Sequence, residues 1–300
     1  MSQRQAADGA APTVPRTKSI AGSLGIIAGR GDLPCAIAEA AVASGIPLHI
    51  VGIRGEATEA IERFPHTWMK WGEIGKLFSA LSDNHCTDIV IIGGVNRPDF
   101  DNVRFDLGAI KTLPFLLSLA KGGDDYLLSR IVRFFEDKGY RVRGAGDVLP
   151  ELLMPEGTLP RKAHPPKTER TSRPRSRLCI LSDILTSARR RWPGHVLAVE
   201  AAEGTDALLE RCAAVRLQGR VHGTKSGVLV KAPKPGQEER IDMPTIGPET
   251  MHKAAAAGLA GVAVAAGHVL LADRAETIKA ANAHKLFLVG EPWSGADANG

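Results

Sequence analysis

Leu24-Gly-Ile-Ile-Ala-Gly-Arg-Gly-Asp-Leu-Pro34, running into the Ala-rich stretch Cys35 to Ser44 and stopped by Gly45, is the stretch that decides the fold. Leu24 to Ala28 form a short apolar strand, Gly29 to Pro34 a turn, and the alanines a helix. A strand that feeds a helix through glycines leaves unpaired N–H groups at the helix start. These can cradle phosphate oxygens, with Gly29, Gly31 and Asp32 as the candidate contacts. The dinucleotide fingerprint is a different pattern. Its third glycine is replaced here by Pro34, and the next strand, Leu48 to Ile53, ends in Arg54 where a ribose-binding carboxylate is expected. The reading therefore weighs against NAD.

The alternation continues outward from this unit. Trp68 to Trp71 and the helix-like Ile74 to Asn84 lead to Asp88-Ile-Val-Ile-Ile92, an unbroken apolar run suited to a strand buried on both faces. Tyr140 to Arg143 adds another strand, and alternating strands and helices imply a parallel, doubly wound sheet. The fold class is thus α/β: a Rossmann-like N-terminal domain over 22–154 and a smaller C-terminal α/β domain over 195–290. Gly93-Gly-Val-Asn-Arg-Pro-Asp99 follows a strand at its carboxyl end, where open α/β sheets bind ligands. There Arg97 and Asp99 either contact a ligand or pair with each other. In Gly72-Glu-Ile-Gly-Lys76, Lys76 is either a phosphate contact or a solvated first-turn lysine. Lys121-Gly-Gly-Asp-Asp-Tyr126 precedes a helix, so one of Asp124 and Asp125 is its cap. The other is left to present an oxygen to a sugar hydroxyl or a metal.

The second domain opens on the strand His195 to Ala201, followed by Glu203-Gly-Thr-Asp206. Thr205 and Asp206 have capping as their ordinary role, yet a strand-to-helix junction is also where ligand groups gather. The strand Gly227 to Lys231 then delivers Lys231-Ala-Pro-Lys-Pro-Gly-Gln-Glu-Glu-Arg-Ile-Asp-Met-Pro-Thr-Ile-Gly247, the chain's densest mixture of cations, prolines and glycines. Two readings stand side by side, a phosphate site and a solvated loop. In the first, Lys231, Lys234 and Arg240 hold phosphate oxygens, and the prolines limit the entropy lost on binding. Asp242 is then a carboxylate inside a cationic rim, suited to ligating Mg²⁺ or aiming a water, with Asp206 as a second metal candidate. Thr245 or Gly247 caps the next helix, with Pro248 at its first position.

Charge is unevenly distributed. The chain of 300 residues has 38 Lys/Arg against 33 Asp/Glu, a net charge of +5, with 44% hydrophobic residues, enough for two cores. Ten of the bases and two of the acids lie between Arg161 and Arg191, so the remainder has 28 bases against 31 acids, a net −3. That Pro/Arg-rich run reads as a basic linker over 155–194. It can touch nucleic acid or anionic lipid nonspecifically but lacks the aromatic interleaving of a base-stacking surface, so no specific nucleic-acid partner is expected. Residues 1–21 and 291–300 read as disordered tails, and the first of these has no signal-peptide core. The four cysteines, Cys35, Cys86, Cys179 and Cys212, show no metal spacing and fit a reducing cytosol. The nine histidines form no helical metal pair. Ala254 to Ala272 is apolar, but its glycines divide it into helix end, strand, turn and strand, against a transmembrane reading.

Taken together, six stretches resemble the LpxI-type UDP-2,3-diacylglucosamine pyrophosphatases of lipid A biosynthesis. They are Leu24 to Pro34, Gly72 to Lys76, Gly93 to Asp99, Lys121 to Asp125, Val199-Glu-Ala-Ala-Glu-Gly-Thr-Asp-Ala207, and Lys231 through Gly247. The resemblance implies a Mg²⁺-dependent, homodimeric hydrolase that splits the substrate into UMP and 2,3-diacylglucosamine 1-phosphate between two clasping domains. It makes Asp242, in the motif Asp242-Met-Pro-Thr-Ile-Gly247, the required aspartate, and places the protein in the cytoplasm beside the inner membrane. The alternative is a binding protein that keeps the pocket and has lost turnover. From Arg161 to Trp192 the similarity stops abruptly and then resumes. Compensating frameshifts would produce such a break, and one uninterrupted reading frame repeated in near relatives would contradict them.

Overall fold

The computed structural model describes residues 20, 22–95, 106, 124–159, 176–181, 194–201, 203–219, 225–234 and 236–293. Its first sheet is built from β1 (Ser23–Ala28), β2 (Leu48–Ile53), β3 (His66–Met69), β4 (Cys86–Ile92) and β5 (Arg141–Arg143). Their order is β3-β2-β1-β4-β5, and every pairing is parallel. Alternate β1 residues feed opposite cores. Leu24, Ile26 and Ala28 join Ile37, Ala38 and Ala41 of α1 (Leu33–Ala43). On the other face Ile27 packs with Leu77 and Leu81 of α2 (Ile74–Asp83) and with Val132 and Phe135 of α3 (Asp124–Glu136). A strand apolar on both faces is what a sheet covered by helices on both sides requires. α4 (Ala145–Val148) adds Ala145 and Val148 to the α1 side.

The second sheet is mixed. β6 (Gly157–Leu159), β7 (Ser176–Leu181), β8 (Gly194–Val199), β9 (Val228–Lys231), β11 (Gly261–Ala265) and β13 (Phe287–Glu291) lie in the order β6-β13-β11-β9-β7-β8. Only β6 among the described strands of this sheet runs antiparallel to its neighbour. β10 (Thr245–Ile246) and β12 (Leu270–Leu271) form a separate parallel pair. Helices α5 (Gly204–Leu217), α6 (Pro248–Ala256) and α7 (Arg274–Ala283) complete this part, whose core includes Leu208, Met251, Val262 and Leu288.

The stretch read as a linker over 155–194 needs correction, because it contains β6 and β7. β7 pairs with β9 on one side and β8 on the other. The short apolar run Leu178-Cys-Ile-Leu181 has the length of a strand, and the basic average of its surroundings hid it. The span Ala254–Ala272 divides as expected, and among the described residues no helix is long and apolar enough to cross a membrane.

Asp88, fully buried near the start of β4, accepts from Arg141 Nε at 3.0 Å, Arg143 Nε at 2.7 Å and Thr87 Oγ1 at 3.0 Å. Burial alone would raise this carboxyl, but the two guanidinium groups hold it at about 2. The cluster ties β4 to β5 where Asp88 stands opposite Arg141.

Candidate active site

The glycine turns after β1 and β4 meet where the strand order reverses, the usual ligand position of an open α/β sheet. A Cβ on Gly29 would stand 2.5 Å from the Gly94 carbonyl oxygen, and Gly93 has φ of +100°. Only glycines let these two turns approach so closely. Arg30 N donates to Gly94 O at 2.7 Å and Gly94 N to Arg30 O at 3.1 Å, locking the turns together. Across from them lies the segment 239–245 of the C-terminal part. The cleft between has a volume of about 240 Å³ and is lined by Arg30, Gly31, Gly93, Gly94, Arg240 and Asp242, among others.

Asp242 is exposed to this cleft and held from behind. The Gln237 side-chain amide donates at 2.8 Å both to the Asp242 carbonyl and to Asp242 Oδ2. Gln237 Oε1 in turn accepts from the Lys234 backbone N–H at 2.7 Å. Sequence reasoning passed over Gln237, since a glutamine in a charged loop carries no distinctive pattern. Asp242 Oδ1 accepts no hydrogen bond from the described residues and remains open for a ligand.

Lys231, at the end of β9, donates to Thr205 Oγ1 at 3.2 Å and to the Thr245 carbonyl at 2.8 Å. Burial pushes the Lys231 ammonium down, and the nearby carboxylates of Glu200, Asp206 and Asp242 counteract it. Glu200 lies close enough to Lys231 for their charges to act on each other. Burial raises the Glu200 carboxyl, with Lys231 opposing. Glu200 was another omission, although a carboxylate immediately following a strand is a readable signal.

Other candidates fall in different places. Gly31 lines the cleft, Gly29 supports it, and Asp32 stands exposed at the start of α1 with its side chain making no cap bond. The Lys234 ammonium acts on Glu200. Thr245 lines the cleft, while Gly247 is the extended N-cap of α6, its N–H donating to Thr250 Oγ1 at 3.3 Å. Asp206 pairs through Oδ2 with Lys253 at 2.9 Å. Lys76 pairs with Glu73 at 3.7 Å and is not among the residues lining the cleft. Arg97 lies outside the described residues, as do the side chains of Asp124 and Asp125, whose backbone begins α3.

Arg240 lines the cleft, and its guanidinium is already engaged by two carboxylates. Glu238 accepts from Nε and Nη2, and Glu136 from Nη1, all at 2.7 Å. Spacing along the chain could not reveal Glu136, which comes from a distant helix.

A hard cation shared with a diphosphate needs only one or two protein carboxylates. Asp242, with its open Oδ1 beside a cleft, suits that donor set.

The two parts match known proteins in sequence. Residues 23–152 match the family model described as LpxI N-terminal domain, and residues 192–289 match LpxI C-terminal domain. The chain is 40% identical over 276 residues to the UDP-2,3-diacylglucosamine pyrophosphatase LpxI of Caulobacter vibrioides, covering 89% of this chain and 96% of that protein. Matched in both parts and along nearly the whole of that relative, the chain belongs to the LpxI family.

Proposed function

We propose that this protein hydrolyses the pyrophosphate bond of UDP-2,3-diacylglucosamine, releasing UMP and 2,3-diacylglucosamine 1-phosphate. The observation that supports this most strongly is Asp242 itself, braced by Gln237 and facing the glycine turns across the cleft. Gly31 and its neighbours offer backbone N–H groups to the diphosphate. Lys231 places a half-desolvated ammonium behind Thr205 and Thr245, and so contributes positive potential where water screens it least. Asp242 accepts a hydrogen bond from the attacking water and orients it toward phosphorus. Mg²⁺, when bound beside Asp242 Oδ1, neutralises phosphate charge and polarises the bond to be cleaved. Acting on a lipid substrate at the cytoplasmic face of the inner membrane, as a homodimer, belongs to the same reading. UMP release by purified protein, with Mg²⁺ or EDTA, tests it: turnover that survives EDTA would remove the metal from the account.

A further inference from the structure

We propose that Arg240 is a positioning residue, a latch that ties the Asp242 loop to the N-terminal part and so aligns the carboxylate with the glycine turns. This rests on the hydrolase reading above. The loop leaves its own domain and lies on the other one. Ile241 packs against the core shared by α2 and α3, whereas Met243 packs against the core beneath α1. Asp242 stands between these two anchors, so its direction is set by how the loop sits on the N-terminal sheet.

A path of hydrogen bonds runs from Asp242 to α3 of the N-terminal part. The Asp242 N–H donates to the Glu238 carbonyl at 3.0 Å. The Glu238 carboxylate takes both oxygens to Arg240, through Nε and Nη2 at 2.7 Å each. Nη1 of the same guanidinium reaches Glu136 Oε1 at 2.7 Å, 104 residues away at the end of α3. Each guanidinium nitrogen therefore has a carboxylate partner, and the planar fork fixes both directions at once. Three of the five guanidinium N–H groups are committed to these carboxylates. Because the Glu136 contact is half-exposed, it adds little to global stability. What it supplies is alignment, and a displacement near 1 Å can cost about a hundredfold in rate.

The test compares wild type with Glu136→Gln, Arg240→Ala and the double variant. UMP release is measured as kcat and KM, and hydrogen exchange is followed over residues 237–243, with thermal melting as the check on folding. Glu136→Gln is expected to lower kcat about tenfold and leave KM within about twofold. It should also speed exchange over 237–243, and the double variant should be no slower than Arg240→Ala alone. Wild-type kcat in Glu136→Gln, or a raised KM with unchanged kcat in Arg240→Ala, would overturn the latch and return Arg240 to the phosphate. Losses that multiply in the double variant would do the same. Exchange needs no turnover: if wild type releases no UMP the hydrolase reading fails, while unchanged exchange in Glu136→Gln sinks the latch independently.

Discussion

Asp242 owes its orientation to neighbours that carry no motif. The Gln237 amide bonds its Oδ2 at 2.8 Å, so Gln237→Ala frees the carboxylate to rotate. That variant is expected to lose about tenfold in kcat with little change in melting temperature, measured by UMP release and calorimetry. His268, in the turn between β11 and β12, tells a related story through its partner in the Asp242 loop. Its Nδ1–H donates to Glu239 Oε2 at 2.8 Å, and this bond holds the imidazole above its ordinary 6.5. A folded value raised in this way means that the pair is fully present below pH 6.5 and fades as pH rises through the raised value. NMR titration should find His268 above 6.5 and Glu239→Gln should bring it back; no difference between the two would contradict the pairing. At this scale the sequence was legible in placement where structure is local: Lys231 ends a strand and Thr205 stands at the start of the helix after β8, as expected. It was opaque where the partner is remote: Glu136 for Arg240, Glu239 for His268 and Lys253 for Asp206 lie 104, 29 and 47 positions away.

Among the elements, strands and helices with a clear period stand close to where their residues place them. β2 covers Leu48–Ile53, the expected span, because a mostly apolar run between Pro47 and Arg54 leaves little choice. β7 was missed because its apolar run is short and flanked by arginines. Its backbone is paired on both sides, so Ile180→Pro removes a ladder hydrogen bond from an interior strand. The expected outcome is a melting temperature lowered by about 5 °C or more, read by circular dichroism. An unchanged melt would return 155–194 to a dispensable linker. The same pairing bears on the abrupt break in family resemblance, since a segment that completes a sheet is part of the fold whatever its origin.

In the whole molecule, catalytic geometry is a property of two parts in contact. Neither the glycine turns after β1 and β4 nor the loop carrying Asp242 makes a site alone; the cleft exists because Ile241, Met243 and Leu270 of one part are embedded in the cores of the other. From sequence the two parts and the ligand-binding edge of the first sheet could be read. Their docking could not, because it depends on ordinary apolar side chains whose periodicity belongs to no single element. The most direct test of the central claim is UMP release from UDP-2,3-diacylglucosamine by wild type and Asp242→Ala, with Mg²⁺ and with EDTA. The account predicts release that requires both the metal and Asp242, in a variant that melts within a few degrees of wild type. Release undiminished in Asp242→Ala, or none from folded wild type, would contradict it.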